Sequence, residues 1–246
     1  MQRQAIAEIE KLGGKVRANS ETKVVAIKLN SPQMTDDGLE HLKEFTSLQK
    51  LSLYDTQVTD AGLLHLKELH KLQSLRLGGK FTNAGLEHLK GLTSLRNLYI
   101  YLYSTQITDA GLLHLKELTD LECLWFDGSQ VTDAGLAHLQ EFTKFQELYL
   151  YNTQVTDTGL EHLKGFTDLR RLWLDGSQIT DAGLEHLKGL KKLTALSLSR
   201  TQVGDAGLQH LKGLKELKVL LLSKTQVTAK GVNELKRALE DCTISH

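Results

Sequence analysis

Eight residues, Thr-Asp-Ala-Gly-Leu-x-His-Leu, recur at Thr59, Thr108, Thr132 and Thr180, and looser versions begin at Thr35, Thr82, Thr156, Gly204 and Thr228. Between copies runs Leu-x-x-Leu-x-Leu, as at Leu48, Leu51 and Leu53. A unit this short has an apolar face that only another unit can cover, so the copies must stack into one array. The units start at Val24, Leu48, Leu72, Leu95, Leu121, Phe145, Leu169, Leu193 and Leu217, a spacing of 24 residues that shortens to 23 across Gly78-Gly79-Lys80 and lengthens to 26 across Leu98–Tyr103. The two irregular spacings predict a tight turn at the glycine pair and a bulged or extended strand at the tyrosines.

Each unit carries two periods. Leu51-Ser52-Leu53 alternates, which makes a short strand with its leucines on one face. Leu63, Leu66 and Leu69 fall at intervals of three and form one stripe of a helix. Thr59 suits the N-cap, and Asp60 sits where a helix dipole favours an anion. Gly62, costly inside a helix, implies close packing against the neighbouring turn. Units of one hand stack with strands parallel and helices outside, so the expectation is a right-handed α/β solenoid, a horseshoe with a parallel sheet on its concave face and α-helices on its convex face.

The ends differ from the middle. Ala5, Ile6, Ile9 and Leu12 recur at helical spacing until Gly13-Gly14, and residues 15–18 and 23–29 read as two strands about a polar turn at Asn19-Ser20-Glu21. Residues 1–23 are therefore expected to be a capping helix and hairpin strand, residues 24–240 nine repeats, and residues 241–246 a capping strand supplied by Cys242 and Ile244.

The pattern L-x-x-L-x-L-x-x-T-x-V-T-D-A-G-L-x-x-L resembles the leucine-rich repeat family, most of all short bacterial repeats of the TDAGL type and the cysteine-containing repeats of eukaryotic F-box proteins. The resemblance covers residues 24–246. Where that family carries a ladder of Asn or Cys, this chain has Thr56, Thr105, Ser129, Thr153, Ser177, Thr201 and Thr225; a hydroxyl can still bond a loop carbonyl. The resemblance implies a partner-binding scaffold and names no partner.

Bulk properties exclude rather than identify. Lys and Arg equal Asp and Glu at 30 each, so there is no basic surplus to argue for nucleic acid or a polybasic membrane site. The longest aliphatic run, Val219–Leu222, is far short of a membrane span, and no secretory segment follows Met1. Cys123 and Cys242 lie five strands apart in the expected array, about 24 Å, which is too far for a disulfide. Free thiols fit a reducing compartment. The expectation is a cytoplasmic monomer.

Several rows invite chemistry. His41, His65, His88, His114, His138, His162, His186 and His210 share one position, but adjacent helices about 8–10 Å apart cannot share an ion bound at about 2.0–2.1 Å; a surface or structural row is expected, with no metal. Gln57, Gln106, Gln130, Gln154, Gln178, Gln202 and Gln226 read as a loop-stabilising amide ladder. The repeated Asp of the motif reads as helix capping. There is no phosphate-cradling glycine loop, nucleophile elbow or paired-cysteine motif, so neither catalysis nor a cofactor is expected.

The informative positions lie between the strand leucines, where side chains turn away from the core. One row runs Lys28, Ser52, Arg76, Tyr99, Trp125, Tyr149, Trp173, Ser197, Leu221. The next runs Asn30, Tyr54, Gly78, Tyr101 or Tyr103, Asp127, Tyr151, Asp175, Ser199, Ser223. Aromatic residues on an exposed face are the usual interface anchors. Tyr99, Tyr101, Tyr103, Trp125, Tyr149, Tyr151 and Trp173, with Asp127, Asp175 and Arg171, are therefore the candidate ligand-binding residues. With Glu147 beside them they make an aromatic, mildly acidic surface suited to a protein or peptide with basic or apolar anchors. A carbohydrate-binding module, or a structural, self-associating module, are the alternatives.

Overall fold

The computed structural model describes residues 2–101, 106–127 and 130–246. The chain divides into two compact units, Met1–Cys123 and Leu124–His246.

The first unit opens with an α-helix, Gln2–Lys11, that buries Ala5 and Ile9 and ends at Gly13, whose φ of 79° lies in the left-handed region. Strand β1 (Lys15–Ala18) pairs antiparallel with β2 (Val24–Lys28). Strands β3 (Lys50–Leu53), β4 (Ser74–Gly78) and β5 (Asn97–Tyr101) then add in parallel, in chain order. The second unit takes all but the first residue of β6 (Cys123–Asp127), followed by β7 (Glu147–Tyr151), β8 (Arg171–Trp173), β9 (Ala195–Ser197), β10 (Val219–Leu221) and β11 (Thr243–Ser245), again strand beside strand in sequence order. This is the α/β order that stacked strand–helix repeats produce.

Registers put equivalent residues side by side. Leu51 faces Leu75, and Leu75 faces Leu98; Leu148, Leu172, Leu196, Leu220 and Ile244 form the matching row of the second unit. The leucines Leu63, Leu66 and Leu69, and their equivalents in other repeats, are fully buried, so the core lies between strands and helical segments.

Those segments are shorter than the leucine stripe predicts. Asp60–Leu63 is one α turn that tightens into a 3-10 turn at Leu64–Leu66, and Gly159–Leu163 and Gly183–Gly189 are 3-10 throughout. A glycine in the first turn is a poor helix former, and a single turn forms only because packing holds it.

Two sequence expectations change at the repeat joints. The repeated Asp is a clamp between repeats rather than a cap on its own helix. Asp36 accepts from the backbone N–H and hydroxyl of Thr59, at 2.8 and 2.6 Å. Asp60 does the same for Thr82, Asp133 for Thr156, Asp157 for Thr180 and Asp205 for Thr228. Where Asn83 replaces Asp, its amide nitrogen donates to the Thr108 hydroxyl while its oxygen accepts from Thr108 N–H. The motif glycine makes room for this clamp. A Cβ on Gly62 would stand 2.3 Å from Asp36 Oδ1, and one on Gly183 2.2 Å from Asp157 Oδ1.

The glutamines make no amide ladder. All seven are exposed, and the rung is their backbone N–H, as Gln154 donates to Val131 and Gln178 to Val155. Among the described residues only Gln57 uses its amide, donating to the Pro32 carbonyl. The hydroxyls of Ser177, Thr201 and Thr225 do serve the loops, each donating to the leucine carbonyl three residues back, whereas the buried Thr153 hydroxyl has no hydrogen-bond partner. Thr105 and Ser129 lie outside the described residues.

The loops after β3, β7, β8, β9 and β10 pass through the left-handed region at Asp55, Asn152, Gly176, Arg200 and Lys224. The repeat of 23 residues has dropped that residue: β4 runs through Gly78 and the chain bends at Gly79 without a positive φ. Its glycines permit close approach instead: a Cβ on Gly79 would lie 2.5 Å from the Val58 carbonyl oxygen, and one on Gly78 2.9 Å from Asp55 N.

Candidate functional site on the sheet face

In the first unit, β3 to β5 bring three tyrosines together. Tyr54 meets Tyr101 edge to face at 5.0 Å between ring centroids, and Tyr101 lies parallel to Tyr99 at 6.5 Å. The Arg76 guanidinium sits over the Tyr99 ring, 4.9 Å from its centroid. Desolvation in this cluster raises the Tyr101 hydroxyl above its ordinary pKa, with Arg76 opposing. Tyr103, expected in the same patch, lies outside the described residues, as do residues 102, 104 and 105 beside it.

In the second unit, β6, β7 and β8 bring together the other candidates. Parallel register places Tyr149 beside Trp173 and Glu147 beside Arg171. Tyr149 is sandwiched, with Trp125 at 4.4 Å on one side and Trp173 at 4.9 Å on the other. It is only 7% exposed, and its hydroxyl donates to Glu147 Oε2 at 2.8 Å. Tyr149 was expected to look outward. It occupies an outward position, but the indoles on neighbouring strands, about 4.8 Å away on each side, cover it.

Tyr151 packs against Trp125 at 5.1 Å. Its hydroxyl is pushed far above the ordinary tyrosine pKa, first by burial and then by the carboxylates of Asp175 and Asp127. Asp127 accepts from Asn152 Nδ2 at 3.1 Å. Arg171 is exposed and bonds Glu147 Oε1 at 3.1 Å, so the cation that offsets the acids is itself held.

Asp175 is the unusual member. It is 9% exposed, and its Oδ2 is buried without a hydrogen-bond partner. Burial raises its carboxyl pKa, and the Ser197 hydroxyl and Arg200 oppose the rise. The face therefore holds a carboxylate oxygen without a donor beneath aromatic rings, where an ammonium or guanidinium group can meet it once a covering side chain moves.

Sequence reasoning missed the basic character of the first unit. Its face forms a hollow of about 940 Å³ with Lys28, Lys50, Arg76 and Arg96 in its lining. Lys28 and Arg76 lie in the row of middle strand positions; Lys50 sits two residues before the middle position of its strand, where alternation puts it on the same face. The mildly acidic character expected of the surface belongs to the second unit.

The helical sides carry the histidines. His186 Nε2 lies 3.7 Å from Glu161, and His162 is hydrogen-bonded to Gln140. Among the described residues no group of three or more His, Cys, Asp or Glu is placed to hold a metal ion, and no helix is long and apolar enough to cross a membrane.

A family model described as "Leucine Rich repeat" matches residues 189–212. No curated protein matches the chain. Solved structures do. An internalin of Listeria monocytogenes, inlF, is 22% identical at a TM-score of 0.57, over 84% of this chain and 69% of that one. Internalin C2 of the same organism is 25% identical at a TM-score of 0.52, over 98% of this chain and 92% of that one.

Proposed function

Because the chain is built of leucine-rich repeats, we propose that it is a non-enzymatic scaffold that captures a protein or peptide on its sheet face. The reading surface is the cluster on β6 to β8. Trp125, Tyr151 and Trp173 supply the apolar contact, and Asp127 and Asp175 receive a Lys or Arg side chain. Tyr149 spaces the two indoles, and Arg171 ties down Glu147. One observation carries this reading: the buried, unpartnered Oδ2 of Asp175. Leaving such an oxygen without a donor costs about 1–3 kcal/mol, and a ligand cation that displaces the side chain covering it would recover that cost. Support for a scaffold rather than an enzyme comes from the repetition itself. The motif Asp and His recur as copies of one another, without a distinct nucleophile, base and orienting group.

A displayed library of random peptides tests the proposal. Enriched sequences should carry Lys or Arg, and Asp175→Asn should lower their affinity at least about tenfold, a loss of about 1.4 kcal/mol. Enrichment of peptides without cations, or equal capture by Asp175→Asn, would sink it. Selective retention on a glycan array would favour the carbohydrate reading instead.

A further inference from the structure

The hollow on the first unit's sheet face carries charge of one sign. Its charged lining is Lys15, Arg17, Lys28, Lys50, Arg76 and Arg96, and no Asp or Glu lines it. The whole chain has 30 cations and 30 anions, so this is local segregation rather than a general surplus. Register produces it. Lys15 stands directly opposite Lys28 across the β1–β2 hairpin, and Arg17 opposite Ala26. Ala26 adjoins Lys50, Lys28 adjoins Ser52, and Ser52 adjoins Arg76. With neighbouring strands about 4.8 Å apart, the cationic stems converge on a few strands.

Like charges directly opposed destabilise a strand pair, and little in the chain relieves them. Arg96 has Glu122 at 3.4 Å, and Arg76 lies on the Tyr99 ring. Lys15, Arg17, Lys28 and Lys50 are exposed and have no carboxylate within ion-pair distance among the described residues. Between the cations lie Asn30, Ser52, Gln73, Ser74 and Asn97. Their amides and hydroxyls can both donate to and accept from a peptide backbone.

We propose that this hollow binds an extended acidic peptide segment, its Asp or Glu carboxylates meeting Lys15, Arg17, Lys28 and Lys50. The volume, about 940 Å³, is in the range of about 300–1,000 Å³ of sites that enclose small ligands. It suits a short stretch of chain rather than a folded domain. The rings decide between peptide and nucleic acid. Single-stranded nucleic acid binds by stacking bases on open aromatic faces. Here Tyr99 is covered by Arg76, and Tyr101 takes the edge contact with Tyr54. The site shares no residue with the aromatic cluster on β6 to β8 and takes ligands of opposite charge.

Calorimetric titration of the full chain with octaglutamate tests it. Binding should weaken at least about tenfold in the double variant Lys28→Glu, Lys50→Glu. It should also weaken as salt rises from about 50 to about 200 mM, because the contacts are exposed and screened. Asp175→Asn should leave it unchanged. Both lysines are exposed and Lys28→Glu puts an opposite charge across from Lys15, so the double variant should melt no lower than the parent, which checks that it folds. Absence of binding by octaglutamate, or equal affinity of the charge-reversed variant, overturns the proposal. So does tighter binding of a single-stranded thymidine octamer than of octaglutamate, which would make the hollow a nucleic-acid site.

Discussion

Asp157 and Thr180 join two successive repeats twice over. One carboxylate oxygen accepts from Thr180 N–H at 2.8 Å and the other from its hydroxyl at 2.5 Å. The first oxygen also stands 2.2 Å from where a Cβ on Gly183 would be. The motif Thr-Asp-x-Gly thus describes a joint and not a helix. The Asp of one repeat reaches over the Gly of the next and ties down the Thr that starts its helical turn.

Removing the clamp has a defined cost. Asp157→Ala loses two hydrogen bonds to a charged acceptor and strands a half-buried N–H, so urea unfolding should show a loss of about 2–3 kcal/mol. Asp157→Asn should cost less, because Asn83 already makes both bonds to Thr108. Gly183→Ala should destabilise although Ala is the better helix former by about 1 kcal/mol. Made together, Asp157→Ala and Gly183→Ala should cost less than their sum, since the first opens the space that the second needs.

The loop positions with positive φ give a second prediction. Arg200 and Lys224 have φ of 59°, and the left-handed conformation costs an ordinary residue about 1–2 kcal/mol. Glycine removes that cost and adds about 0.5–1 kcal/mol of chain entropy. Arg200→Gly and Lys224→Gly should each leave the protein unchanged or up to about 1.5 kcal/mol more stable. Gly176→Ala should destabilise by about 1–2 kcal/mol, since its φ is 73° and its Cβ would meet Asn152 Oδ1 at 2.7 Å. Thermal melts of the three variants decide it.

Repeat period and strand alternation made much of this fold legible. The rows Lys28–Ser52–Arg76–Tyr99 and Tyr149–Trp173–Ser197–Leu221 appear in the registers as spacing predicts. What stayed hidden lies between repeats. The bond from Asp157 to Thr180 spans 23 residues, and Asp followed by Ala-Gly reads locally as an ordinary helix start. Alternation assigns Tyr149 to the outer face but says nothing of the two indoles that cover it. The charge of the first unit's face emerges only when Lys15, Arg17 and Lys50 are placed by the hairpin and its register.

Two carboxylates should give opposite pH dependence. The hydroxyl and backbone N–H of Thr228 hold Asp205 below the usual carboxylate range. Its contribution to stability is therefore complete above its unfolded pKa, about 3.9, and is lost as pH falls through the lower folded value. Burial raises Asp175, so the folded state binds the extra proton and stability declines as pH rises from about 3.9 through the folded pKa. Urea midpoints at successive pH values should show Asp175→Asn more stable than the parent at pH 7, by about 1 kcal/mol, with the gain vanishing as pH falls. Asp205→Asn should be the less stable protein at pH 7, and its deficit should shrink in acid.

Tyr149 separates support from contact within the aromatic cluster. It is 7% exposed between two indoles and donates to Glu147. Tyr149→Phe keeps the stack and loses one hydrogen bond to a charged group, so it should cost about 1.5–3 kcal/mol or less while leaving peptide capture within about twofold. Trp125→Ala removes an indole that stacks on Tyr149 and packs against Tyr151. It should cost about 3–5 kcal/mol if that ring packs as a core residue does, and less to the extent that it is exposed. Such a loss would confound any capture assay, so Trp125→Phe is the better probe of contact: an aromatic stack survives, while the indole edge is lost. Peptide affinities of Tyr149→Phe and Trp125→Phe, measured beside their unfolding curves, decide the assignment. Weakening by Trp125→Phe alone identifies the indole as the contacting group. Equal weakening by both would place Tyr149 in the binding surface after all.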